Sequence, residues 1–291
     1  MSNLFHQTMV NLERSLTCEL IASEIDLVEG IKAIAATDQE ILEYANQHRF
    51  SHIPLRDQKV WGEKVGRRTA ITHVAIVDLK RSCVLDRWEI TLDDVIAGET
   101  PLSKAVELLQ DKGFCLVLVQ DSLRKILTRS DLNKLPVRVY LVALLAHLEG
   151  LLADTIDAVF PDNCWIELLK EYPHKARIKG LFEKKKAEEF DARLIDCTTL
   201  SDKSTIIQNS AEFLEKIALP SRNQLRQQVR RISVLRDRLA HGLPPLTEDS
   251  DTFRDHLFHA QGLTKGRDVK WLAGTILTIQ TWIDCLTQPE E

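Results

Sequence analysis

The chain of 291 residues is 44% hydrophobic and 28% charged and carries a formal net charge of −5. This is the composition of an ordinary soluble globular protein, long enough for two domains of roughly 100–200 residues each. The negative total excludes a surface coated throughout for nucleic acid, and no apolar run is expected to approach the roughly 20 residues that a membrane span requires.

Residues 1–15 read as a polar lead-in, and Met1 to Val10 has neither the basic flank nor the apolar core of a secretory signal. From Leu16 to Leu132 strands and helices are expected to mix. Asp38–Gln47 predicts a helix behind the N-cap Thr37. Pro101–Lys112 predicts a second behind Thr100, with proline at the first helical position and Gly113 closing it as a C-cap. The β-branched runs Ile71–Leu79 and Phe114–Val119 are typical of buried strands.

After Leu132 the pattern turns helical. Val137–Phe160 is one long apolar segment in which Val139, Val142, Leu145, Leu148, Leu152, Ile156 and Val159 recur at spacings of three and four. Further helices are expected at Trp165–Glu171, His174–Phe190, Thr205–Ile217, Ser221–His241 and Val269–Leu286. With the boundary near Asn133–Pro136, the expected fold class is an α+β domain over residues 1–134 and an all-α helical bundle over residues 135–291.

Six cysteines, Cys18, Cys83, Cys115, Cys164, Cys197 and Cys285, are scattered without close pairs. They are expected to be small buried hydrophobes in a reducing cytoplasm rather than disulfides or metal ligands. His256 and His259 have ligand-like spacing beside Asp255 but no obvious third partner, so no metal is expected. No Gly-rich phosphate loop, serine nucleophile motif or zinc-finger spacing is present.

Charge is unevenly placed. Trp165–Gly242 holds sixteen Lys and Arg against eleven Asp and Glu. A basic module inside an acidic protein fits a local polyanion site, and it also fits a solvated helix face. Within it, Leu225, Val229, Ile232, Leu235 and Leu239 form one apolar stripe, flanked by a basic ridge of Arg222, Arg226 and Arg230 at spacings of four.

That helix ends in Arg236-Asp237-Arg238-Leu239-Ala240-His241, followed by Gly242. Arginine grips a phosphate with a planar fork, and histidine moves a proton near neutral pH. Together they suit metal-free cleavage of a phosphodiester. The same residues also suit a cation-rich helix end, where they favour the helix dipole. On a regular helix Arg236 and His241 stand about 140° apart. Either the helix unwinds before Gly242, or the site is completed across a two-fold axis by a second copy. His147 and Glu149, on the long first helix of the bundle, are further candidates for this centre.

Two resemblances frame these residues. Val95–Leu132 resembles the repeat of cystathionine-β-synthase-type (CBS) domains: Val95-Ile96, then Thr100-Pro101-Leu102 and a helix, then Cys115–Val119, then Leu123 to Leu132. In that family a Thr or Ser three residues before an Asp helps hold a nucleotide ribose. The resemblance therefore implies that Thr128 and Asp131, with Thr100, bind an adenosine nucleotide. The same Thr128–Asp131 spacing also reads as an N-cap. Leu27–Leu55 gives a degenerate partner repeat: a strand-like Ile31–Ile34, Thr37 before a helix, then Phe50–Leu55. It lacks the closing Thr/Ser-x-x-Asp; Trp61–Arg68 stands there instead, with Arg67 and Arg68 as an exposed pair.

Arg236–His241 resembles the Arg-x4–6-His signature of HEPN domains, helical modules that often act as metal-independent ribonucleases. Asp237 fits the polar residue that commonly follows the arginine. This resemblance implies an endoribonuclease with Arg236, His241 and Asp237 catalytic and Arg222, Arg226 and Arg230 guiding RNA. It also implies a homodimer or higher even-numbered oligomer, products with 2′,3′-cyclic phosphate and 5′-hydroxyl ends, and a place in prokaryotic stress or antiviral systems. The nucleotide would be a regulatory ligand and no cofactor would serve catalysis. The alternative is a non-catalytic nucleotide sensor or scaffold whose bundle mediates dimerisation or partner binding.

Overall fold

The computed structural model describes residues 11–12, 15–25, 36–60, 67–111, 113–120, 122–210, 213, 221–242 and 269–287. Internal contacts divide the chain into two units, Leu16–Leu132 and Asn133–Glu291 together with Met1–Ser15. The first is mixed α and β with two sheets; the described residues of the second are helical.

In the first unit a short turn of helix, α1 (Cys18–Ile21), and β1 (Ser23–Glu24) precede α2 (Asp38–His48). α2 starts where a capping box forms: the Thr37 hydroxyl accepts from Glu40 N, and Thr37 N donates back to the Glu40 carboxylate at 2.7 Å. Strands β2 (His52–Val60), β3 (Arg67–Asp78) and β4 (Cys83–Glu89) then form an antiparallel meander. The second sheet has the order β1-β7-β6-β5. Here β5 (Val95–Ala97) runs parallel to β6 (Phe114–Val119), and β7 (Ser122–Thr128) runs antiparallel to both β6 and β1. Helix α3 (Leu102–Asp111) joins β5 to β6 and packs on β6.

β3 shows how the two sheets share a core. Its side chains alternate between faces. Ala75 and Val77 join Ile53 and Leu55 of β2 and Ile41 and Ala45 of α2. Val74 instead joins Phe114, Leu116 and Ile126 of the other sheet. A strand buried on both faces reads as a continuous apolar run, which is why Ile71–Leu79 stood out in the sequence. The expected strand-like run Ile31–Ile34 lies outside the described residues. Beyond the stretch read as a degenerate CBS-type repeat come β3 and β4, with Arg67 and Arg68 opening β3 opposite Val60 and Lys59.

Gly113 corrects one expectation. Its backbone is not left-handed, so it is no αL cap to α3. A Cβ there would stand 3.2 Å from His52 Nε2, so a larger residue would require the His52 ring to give by a few tenths of an ångström.

In the second unit α4 (Leu135–Val159) packs against α6 (Leu200–Gln208), α7 (Arg222–Ala240) and α8 (Val269–Thr287). Between α4 and α6 lie 3-10 turns at Pro161–Leu168 and Leu194–Cys197, a wide turn at Glu171–Lys175, and α5 (Ala176–Ala187). The expected helix Trp165–Glu171 is thus a 3-10 turn: Asp162 and Asn163 adopt positive φ, and Trp165 anchors the segment by full burial. The expected helix Thr205–Ile217 begins earlier, at Leu200, behind the N-cap Thr199; most of 211–220 lies outside the described residues.

α4 departs from its expected face. It buries Val137, Tyr140, Leu141, Leu144, Leu145, Leu148, Leu151, Leu152 and Ile156, while Val139 and Val142 point outward with Leu135. A helix apolar nearly all round offers several stripes of similar spacing, and packing selects among them. Contrary to expectation, α4 is long and apolar enough by length and composition to cross a membrane; most of it is buried inside its unit.

Candidate phosphodiester site

α7 builds the site from a regular amphipathic helix. Ser221 caps its start by accepting from Gln224 N. Leu225, Val229, Ile232, Leu235 and Leu239 are buried, which orients Arg222, Arg226 and Arg230 to the exposed side. Arg226 Nε donates to Gln208 Oε1 at 2.8 Å; among the described residues the ridge makes no other side-chain hydrogen bond or ion pair.

At the far end the helix stays regular through Ala240. His241 is the C-cap, with φ −92° and ψ 13°, and its N–H still donates to Asp237 O at 3.1 Å. Gly242 follows at φ 69°, the left-handed position that closes a helix. Of the two alternatives, unwinding before Gly242 does not occur, so Arg236 and His241 leave a regular helix in divergent directions. Among the described residues they form no joint site within one chain.

Arg236 is instead held by carboxylates. Its Nε lies 3.7 Å from Glu149 Oε1 on α4, and its Nη1 donates to Asp237 Oδ1 at 3.2 Å. Asp237 and His241 are exposed. His147, the other α4 candidate, is buried in the bundle. Glu149 also attracts Lys203, a buried lysine whose pKa is pushed down by desolvation against the pull of Glu149, Asp196 and Asp202.

A second arginine, unremarked in the sequence, stands beside Gly242, the residue that follows His241. Arg138 on α4 puts Nη2 3.6 Å from where a Cβ on Gly242 would be, and its buried Nε has no hydrogen-bond partner among the described residues. Nothing in the local spacing of Arg138 pointed to α7; only the packing of α4 brings it there.

Comparison with protein-family models, curated proteins and solved structures finds no match.

In the first unit, Thr128 and Asp131 are brought together. Asp131 is 2% exposed, and its carboxylate accepts from Thr128 N at 2.6 Å, Thr128 Oγ1 at 2.8 Å and Ser23 Oγ at 2.8 Å. This is the capping arrangement, occupying the oxygens that a ribose would need. Thr100 is not brought to them. Thr128 pairs with Phe114 at one end of β6, whereas Thr100 follows β5, whose Ala97 pairs with Leu118 near the other end. At about 3.3 Å per residue, Phe114 and Leu118 lie about 13 Å apart, so β6 separates Thr100 from Thr128 and Asp131.

His52 lies within reach of the charges of Arg129 and Asp131. His52 is pushed down to about 4 by burial and by the charge of Arg129, with Asp131 pulling the other way. Sequence reading missed His52 because it enters from the other sheet. His256 and His259 lie outside the described residues. Among the described residues, no group of three or more His, Cys, Asp or Glu has metal-holding geometry.

Proposed function

We propose that the chain is a metal-independent endoribonuclease of HEPN type whose site is shared between two copies. The observation that carries this reading is the exposed, divergent placement of Arg236 and His241 at the end of an open basic ridge. Such a pair is useless within one regular helix, yet it is suited to facing its counterpart across a two-fold axis. The exposed Leu135, Val139 and Val142 face of α4 provides the apolar surface for that contact.

In this reading the 2′-hydroxyl of RNA attacks the adjacent phosphorus and the bond to the 5′-oxygen breaks. His241 of either copy takes or delivers the proton. Arg236 and Arg138 stabilise the charge on the phosphate oxygens, and Glu149 and Asp237 hold Arg236 in place. The products are a 2′,3′-cyclic phosphate and a 5′-hydroxyl. The requirement for RNA follows, because DNA lacks the attacking group.

An adenosine nucleotide on the first unit would regulate the site. To reach Asp131, its ribose hydroxyls must replace the Ser23 hydroxyl. A second reading, a scaffold that dimerises without cleaving, is favoured by the same α4 face together with the carboxylate pairing of Arg236.

Incubation of a mixed RNA with the purified chain tests the choice. Cyclic phosphate ends that disappear in His241→Ala and Arg236→Ala support the ribonuclease; undiminished cleavage in His241→Ala removes it, and absence of cleavage with and without AMP or ATP leaves the scaffold.

A further inference from the structure

The helical unit holds a second Arg–His pair, and this one does converge. Asp202, the third residue of the α6 capping box, is 1% exposed. Its carboxylate accepts from Thr199 N and Oγ1, both at 2.7 Å, from His174 Nδ1 at 2.7 Å and from Arg177 Nη2. Burial works to raise the Asp202 pKa, but these donors and the Arg177 charge hold it below the usual carboxylate range. One buried anion thus fixes two side chains that are themselves well exposed, His174 at 38% and Arg177 at 40%.

The chemistry of that arrangement is specific. With Nδ1 committed to the carboxylate, His174 has a set tautomer and ring orientation and offers Nε2 to another group. Arg177 spends one nitrogen on Asp202 and one on Cys197 O at 3.3 Å, and a guanidinium retains further donors. Two residues before His174, Tyr172 is 82% exposed, the largest exposure of any aromatic among the described residues. A Tyr left in water within a few residues of an oriented His and Arg adds nothing to the core, but it suits a stacking platform: single-stranded RNA is bound by aromatic faces for bases and cations for phosphates.

We propose that Tyr172, His174 and Arg177 form a binding site for single-stranded RNA. Tyr172 stacks on a base, Arg177 holds a neighbouring phosphate, and His174 Nε2 bonds to the same nucleotide. Asp202 is the positioning residue. This inference rests on the reading of RNA as the ligand but not on cleavage.

Fluorescence anisotropy with a labelled 2′-O-methyl oligouridine tests it, because that strand cannot be cleaved through its 2′ position. Tyr172→Ala is expected to weaken binding about tenfold, in keeping with the stacking energy of a base on an aromatic ring, with an unchanged melting temperature. His174→Gln is expected to weaken it several-fold. Phe190→Ala, at another exposed aromatic that belongs to neither site, is expected to leave it unaltered, which separates stacking at Tyr172 from general adhesion to apolar surface. Equal binding by wild type and Tyr172→Ala overturns the proposal. So does tighter binding of an RNA duplex, or of polyglutamate, than of the single strand.

Discussion

Ser23 and Asp131, 108 positions apart in the chain, are joined by a 2.8 Å hydrogen bond from the Ser23 hydroxyl to the Asp131 carboxylate. The bond ties the short edge strand β1 to the turn that follows β7. It also occupies the carboxylate on which nucleotide recognition would depend.

Ser23→Ala is expected to lower stability by about 1 kcal/mol, the usual worth of a hydrogen bond, as read by urea unfolding. If a ribose takes the place of Ser23, the same variant binds AMP more tightly in calorimetric titration and Asp131→Ala does not bind it. AMP affinity that is indifferent to both changes places any nucleotide elsewhere.

His52 predicts a pH dependence with a definite sign. Its folded pKa of about 4 lies below the 6.5 of the exposed side chain. Between these values the unfolded chain binds more protons, so stability rises with pH. The contribution is present in full above about pH 6.5 and is lost progressively as pH falls towards 4. The total is on the order of 2–4 kcal/mol. Urea midpoints across that window check it, and His52→Gln is expected to flatten this part of the profile.

A site shared between copies predicts complementation. Arg236→Ala and His241→Ala homodimers should each be inactive. Mixing them through unfolding and refolding should restore about a quarter of wild-type activity, because half the dimers are mixed and each holds one intact site. A mixture as inactive as its parents would count against sharing.

Val139→Glu combined with Val142→Glu places charges on the exposed face of α4. Sedimentation equilibrium is expected to show loss of the dimer. Unfolding of the monomer should shift by no more than about 0.5 kcal/mol per substitution, as for other surface changes. Self-association that survives the double variant would move the interface off α4.

Much of the secondary structure was legible because local chemistry dictates it. Thr37 and Glu40 form their capping box within four residues, and Phe114–Val119 is a strand wherever it lies, given its β-branched content. The stripe from Leu225 to Leu239 is buried as its period requires. The face of α4 was not legible, because Val139 and Val142 repeat at the same spacing as their buried neighbours. The short-range order of 161–175 was hidden too: it depends on the burial of Trp165 and on Lys175 reaching Glu167 at 2.7 Å.

The sequence by itself determined the helix that carries Arg236 and His241, its basic ridge and its left-handed stop at Gly242, since period, charge spacing and glycine act within a few residues. Only the tertiary structure decided what those side chains meet. Glu149 for Arg236, Arg138 beside Gly242, Ser23 on Asp131 and a single buried Asp202 beneath both His174 and Arg177 come from distant positions in the chain. Such pairings follow from which hydrophobic faces pack together and which buried carboxylates must be satisfied, and those constraints act on the folded chain as a whole.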